Sequence, residues 1–110
     1  PARSPALDDA LARLATLAIE DFAPRVGEGF RLEAGDGPIE LVLLAADALA
    51  AGSAGPGRRA PFSLLFRGPA APILPQQIHR LAHPALGVLA LFLVPIGRDA
   101  AGARYESVFA

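Results

Sequence analysis

Nothing in this 110-residue chain can form a disulfide, because it contains no cysteine. The same absence excludes a thiolate nucleophile and a zinc site built on sulfur, and it leaves the redox compartment open. Charge of one sign is also lacking. Ten basic and eleven acidic residues leave a net charge of -1, which gives no electrostatic ground for nucleic acid as a partner and no basic face for a membrane surface. Long apolar runs are missing too. The longest, 88–96, is strand-sized and far short of the roughly 20 residues a membrane-spanning helix needs. No N-terminal stretch couples a basic region to a continuous apolar segment, so no signal peptide is expected. The default expectation is cytoplasmic, with surface or extracellular assembly compatible. No repeat of fixed period is visible.

What the chain does have is apolar residues, 53% against 19% charged, which places it on the globular side of the boundary with disorder. Its length suits one domain with a single core, residues 1–110.

The opening reads as a helix over 1–21. Ser4 and Pro5 supply a cap and a preset φ, and Asp8 and Asp9 sit near the positive dipole end. Leu7, Leu11, Leu14 and Ala18 form one apolar stripe. Pro24 and Gly27 stop the helix, and Phe22 and Val26 read as contacts leading into a β domain over 29–110.

From Gly29 the period changes to two. Phe30 and Leu32 alternate with Arg31 and Glu33, and Gly35, Asp36 and Gly37 carry turn chemistry. Ile39, Leu41 and Leu43 share a face, while Val42 and Leu44 make the other face apolar as well, as in a strand covered on both sides. Residues 48–60, rich in Gly, Pro and Ala, read as a loop. Phe62, Leu64 and Phe66 form the cleanest alternation, stopped by Gly68 and Pro69. In 76–82, His79, Leu81 and His83 share one face of a short strand. The run 88–96 is apolar on both faces, and Tyr105, Ser107 and Phe109 alternate with Arg104, Glu106 and Val108 in a last strand. The expected fold is therefore mainly β: a small antiparallel barrel or sandwich of about six strands behind one N-terminal amphipathic helix.

The segments FAPRVGEGFRL at 22–32, PFSLLFRGP at 61–69, HPALG at 83–87, LFLVPIG at 91–97 and YESVF at 105–109 form a series. It resembles a family of uncharacterised small bacterial domains, known only as a domain of unknown function. The resemblance covers nearly the whole chain after the helix and carries over no catalytic residue. It implies an accessory or assembly role, because members of that family stand beside proteins like phage-tail collar or fibre components. The residues held in common, among them Gly27, Pro84, Gly87 and Pro95, are turn and packing types. At position 79 the resemblance implies an aromatic where this chain has histidine.

Candidate chemistry is sparse. On a strand, His79 and His83 stand about 13 Å apart, too far to share one ion, and Pro84 argues against a helix there. Ser63 and Ser107 lack the glycine-flanked elbow of a strained nucleophile and read as outward strand residues. Gly35, Gly37, Gly52, Gly55 and Gly57 are followed by no phosphate-binding lysine. Asp8 with Asp9, and Glu20 with Asp21, are adjacent acids that point apart. No catalytic, metal or cofactor site is expected, and the chain does not read as an enzyme.

Arginine is enriched at interfaces, which leaves Arg58, Arg59 and Arg67 as contact candidates. The apolar stripe adds Leu7, Leu11 and Leu14, and the terminal strand adds Tyr105 and Phe109. The expected function is a structural or interaction protein that assembles with copies of itself, as an oligomer or filament, or joins a larger tail-like or surface structure. The alternative is a small barrel holding an apolar molecule in its interior.

Overall fold

A computed structural model describes residues 10, 12–34, 37–49 and 60–109. Six antiparallel strands close into a barrel in the order β1-β2-β3-β6-β5-β4. They are β1 Gly29–Ala34, β2 Gly37–Ala48, β3 Phe62–Gly68, β4 Gln77–His83, β5 Gly87–Asp99 and β6 Gly102–Phe109. The expected barrel is therefore present, and the sandwich is not.

The chain makes two three-stranded meanders, β1–β2–β3 and β4–β5–β6, which join edge to edge. One join, β3 against β6, is registered along its whole length from Phe62↔Phe109 to Gly68↔Ala103. The other, β1 against β4, is registered only at Arg31↔Ala82 and Leu32↔Leu81. The middle strand of each meander is long because it serves two neighbours. β2 pairs with β1 as far as Val42 and with β3 from there to Ala48. β5 pairs with β4 through Leu93 and with β6 from Val94.

Each long strand carries a bulge where it changes partner, at Leu44 between Leu43 and Ala45 and at Ile96 between Pro95 and Gly97. A bulge bends the strand and shifts the side-chain parity by one. Leu41 and Leu43 face the core before the first bulge and Ala46 packs against it afterwards. The shift accounts for apolar residues of both parities on either side of the bulge, while Val42, before it, is half-buried on the other face. In β5 the same pattern has a different cause: Leu89, Leu91 and Leu93 are buried, whereas Val88, Phe92 and Ile96 are exposed. No described residue of this chain covers these three side chains.

A six-stranded barrel is narrow enough for side chains to fill. Here Phe30, Leu32, Leu41, Leu43, Leu64, Phe66, Leu81, Leu89, Leu91 and Leu93 do so. Its two ends are closed by different devices. At one end a short helix α1, Ile19–Phe22, runs into a 3-10 turn at Ala23–Arg25 and delivers Phe22 onto the rings of Phe30, Phe62 and Phe109, with centroids 6.5, 5.8 and 5.5 Å away. Phe62 and Phe109, opposite each other in the register, stack at 4.5 Å and 13°. At the other end the connector between β3 and β4, which contains the cis Ala71–Pro72 bond, drops Leu74 over the core. The Leu74 N–H donates to the Tyr105 hydroxyl at 2.9 Å, so the one tyrosine satisfies a buried amide that no strand can pair.

The N-terminal helix is not continuous to residue 21. Residues 12–14 are helical, and the following amides bond three residues back, Thr16 to Arg13 and Leu17 to Leu14. Ala18 is extended, at φ -133° and ψ 172°. Two residues off the apolar stripe cause the break. The Thr16 hydroxyl donates to the Arg13 carbonyl at 2.9 Å, and the Asp21 carboxylate accepts the Ala18 N–H at 2.8 Å, starting α1 afresh. Asp21 is thus a cap. The loop expected at 48–60 also begins later, because Ala48 still pairs with Phe62.

At the β5–β6 turn the Arg104 guanidinium donates to Asp99 at 2.6 Å and the Ala101 N–H donates at 2.9 Å. Arg104 first, and then the amide, hold the Asp99 carboxyl below its ordinary value. Gly102 follows at φ +136°, where a Cβ would strike the Gly68 carbonyl, so glycine is required for β3 and β6 to meet.

Two outcomes follow. Phe22→Ala should lower stability by about 3–5 kcal/mol in chemical denaturation, since truncation leaves a cavity among three rings. Arg104→Ala should raise the titration midpoint of Asp99, followed by NMR of its side-chain carboxyl.

Candidate functional site

The short join between β1 and β4 gathers the most polar chemistry among the described residues. At its lower end Glu28 precedes β1 and His83 ends β4. His83 is almost fully enclosed, its side chain 5% exposed, and its ring lies 4.7 Å from that of Phe30. The Ala85 N–H donates to Nδ1 at 3.0 Å, which makes Nδ1 the acceptor and places the proton of the neutral ring on Nε2. Nε2 then donates to Glu28 Oε1 at 2.7 Å. Arg25 stands 4.0 Å from the same oxygen. Arg13 reaches across to the Leu86 carbonyl at 3.3 Å and packs over Gly87. The N-terminal segment, the start of β1 and the β4–β5 turn are clasped together here.

Above the clasp the ladder runs through Arg31↔Ala82 and Leu32↔Leu81 and then stops. Carried one step further, the register would set Glu33 opposite Arg80. Glu33 instead turns along its own strand to Arg31 at 3.2 Å, and Arg80 has no ion pair among the described residues. Where the ladder stops there is a groove of about 630 Å³, lined by Arg31, Leu32, Glu33, Gln77, Ile78, His79, Arg80, Ala82 and Val88. His79 forms part of the groove, and its Nε2 is 2.8 Å from the Pro75 carbonyl.

The sequence candidates are placed as follows. Leu7, Leu11, Arg58 and Arg59 lie outside the described residues, as do Asp8, Asp9, Gly35, Gly52, Gly55 and Gly57. Leu14 is half-buried and packed against the core. Tyr105 and Phe109 face the barrel interior, 1% and 4% exposed, so the terminal strand offers its other face, Arg104, Glu106 and Val108, to the outside. Ser107 is likewise inward, 3% exposed, which corrects its expected outward placement; Ser63 is half-buried. Arg67 is half-buried, opposite Arg104 in the register.

His79 and His83 do share an inward face with Leu81, but each is committed to a different partner. Among the described residues no group of three histidine or acidic side chains could hold a metal ion, and no helix is long and apolar enough to cross a membrane. Glu28 and the groove were not singled out from the sequence. Only the like parity of 79, 81 and 83 pointed toward this strand.

Residues 17–109 match the family described as Domain of unknown function (DUF6916). The chain belongs to that family. No curated protein and no solved structure matches it. The match begins just before α1 and runs to the end of β6, so it spans the whole barrel and both end closures.

The clasp yields a contrast. His83→Ala strands the Ala85 amide and should cost about 1–3 kcal/mol in denaturation. Glu28→Gln keeps an oxygen that accepts the Nε2 proton and should cost clearly less.

Proposed function

We propose that this domain is a non-enzymatic interaction and assembly module, which associates with copies of itself or within a larger tail-like or surface structure. The observation that carries this reading is the outer face of β4 and β5. Ile78 and Phe92 are cross-strand partners, each 47% exposed, with Val88 at 42% on the same face. Ala90, between Val88 and Phe92 on that face, is buried and lies opposite Arg80 in the register, so the apolar residues flank one exposed arginine. Large side chains in water on adjacent strands are the kind of patch that a second surface covers favourably, at about 25 cal/mol per Å² removed from solvent.

The described residues also lend little to catalysis. Of the two buried histidines, His83 has both ring nitrogens engaged and His79 is bonded to the Pro75 carbonyl, and Ser107, the inward serine of β6, lies opposite Leu64 in the β3 register. The other reading raised by the sequence, an apolar molecule inside the barrel, finds no support in an interior occupied by Phe22, Phe30, Phe62, Phe66 and eight or so aliphatic side chains.

The test is the solution mass. Light scattering coupled to size exclusion should give a multiple of 11.3 kDa for the wild-type chain and the single-chain mass for Phe92→Glu, with unchanged circular dichroism. A wild-type chain that stays monomeric at high concentration defeats the self-association reading.

A further inference from the structure

We infer that the parted upper half of the β1–β4 join is a receptor for an extended, acidic segment of a partner protein, which adds as a strand between β1 and β4. The inference goes beyond self-association and does not depend on it.

The first support is the backbone. β1 is paired with β2 from Gly29 to Ala34 and β4 with β5 from Gln77 to His83. Toward each other, however, they are registered only at two positions. Among the described residues, Glu33, Ala34 and residues 77–80 therefore have a strand neighbour on one side alone, and unpaired strand edges are what strand addition uses. The second is shape. The space is a groove between two edges, about 630 Å³, within the size range of built ligand sites. It is concave, so it admits one strand and not the edge of another barrel. Among the described residues a second folded copy has no free strand to give, because every other neighbouring pair in the ring is laddered over several residues. The occupant is accordingly an extended segment from outside the barrel.

The third support fixes the chemistry. A strand seated there alternates its side chains between the two faces. Inward ones meet Leu32 and His79, both buried, which suits small apolar residues. Outward ones meet Arg31, Glu33, Ile78 and Arg80. Glu33 is already paired with Arg31, whereas Arg80 is exposed and has no carboxylate among the described residues. An acidic side chain on the outward face supplies the missing partner, in the position that Glu33 would hold if the ladder continued. The preferred segment alternates small apolar and acidic residues.

The probe is a capped peptide of about seven residues alternating valine and glutamate, fluorescently labelled and titrated with the full chain by anisotropy. Saturable binding is expected, and Arg80→Glu, with its circular dichroism unchanged, should weaken it by about tenfold or more. The same variant should gain affinity for a second capped peptide of the same length alternating valine and lysine, which guards against a variant that has merely lost its fold. Methylating alternate peptide nitrogens, which removes donors but keeps every side chain, should abolish binding. Absence of saturable binding, equal affinity of Arg80→Glu for the acidic peptide, or binding that survives N-methylation would each overturn the inference. Phe92 does not line the groove, so Phe92→Glu should bind the peptide as the wild type does, whatever the outcome for its mass.

Discussion

A barrel of six strands has two open ends, and the stability of everything between them depends on keeping water out of both. Phe22 does this at one end. It is wholly buried, although the residues on either side of it are not, and it touches rings contributed by β1, β3 and β6. Because it comes from α1, the helix needs only one turn to do its work. The local hydrogen bonds of Thr16 and Asp21 matter for the same reason: they redirect the chain so that Phe22 enters the barrel end instead of continuing along a straight helix past it. The opposite end is sealed with less apolar bulk, by Leu74 held through its amide to Tyr105.

The closure of the ring rests on two devices of the same kind. β2 and β5 each bend at a bulge and pass from one neighbour to the next, so one long strand does the work that two short ones and a turn would otherwise do. The consequence differs between them. In β2 the parity shift carries apolar residues to the core on both sides of the bulge, whereas in β5 the bulge residue itself, Ile96, lies outside, adding to the exposed apolar side chains of Val88 and Phe92.

Much of this architecture was legible in the sequence because period-two alternation survives in β1, β3, β4 and β6, where no bulge interrupts it. Phe62, Leu64 and Phe66 could be placed inside from their spacing alone, and the same parity on β4 placed His79, Leu81 and His83 together. The bulges were not legible: an apolar residue at 44 or 96 looks the same in a strand covered on both faces. Nor was the break at Ala18, since Thr16 and Asp21 act through single hydrogen bonds that leave the hydrophobic pattern unchanged. Ser107 was misplaced because its small polar side chain suggests solvent, although its position between Tyr105 and Phe109 gives it their face. The groove is a property of what fails to pair, and Glu33 and Arg80, 47 positions apart in the chain, carry no local sign of it.

The unequal joins between the two meanders give the barrel a mechanical character. The β3–β6 ladder, registered from end to end, is a spine, and the two meanders are leaves bound along it; the β1–β4 join is the fore-edge where the leaves meet. Glu28 and His83 act as a buckle at one corner of that edge. Loosening the buckle would let the leaves part while the spine stays intact, so the domain has a built-in direction of opening that a uniformly laddered barrel of the same size would lack.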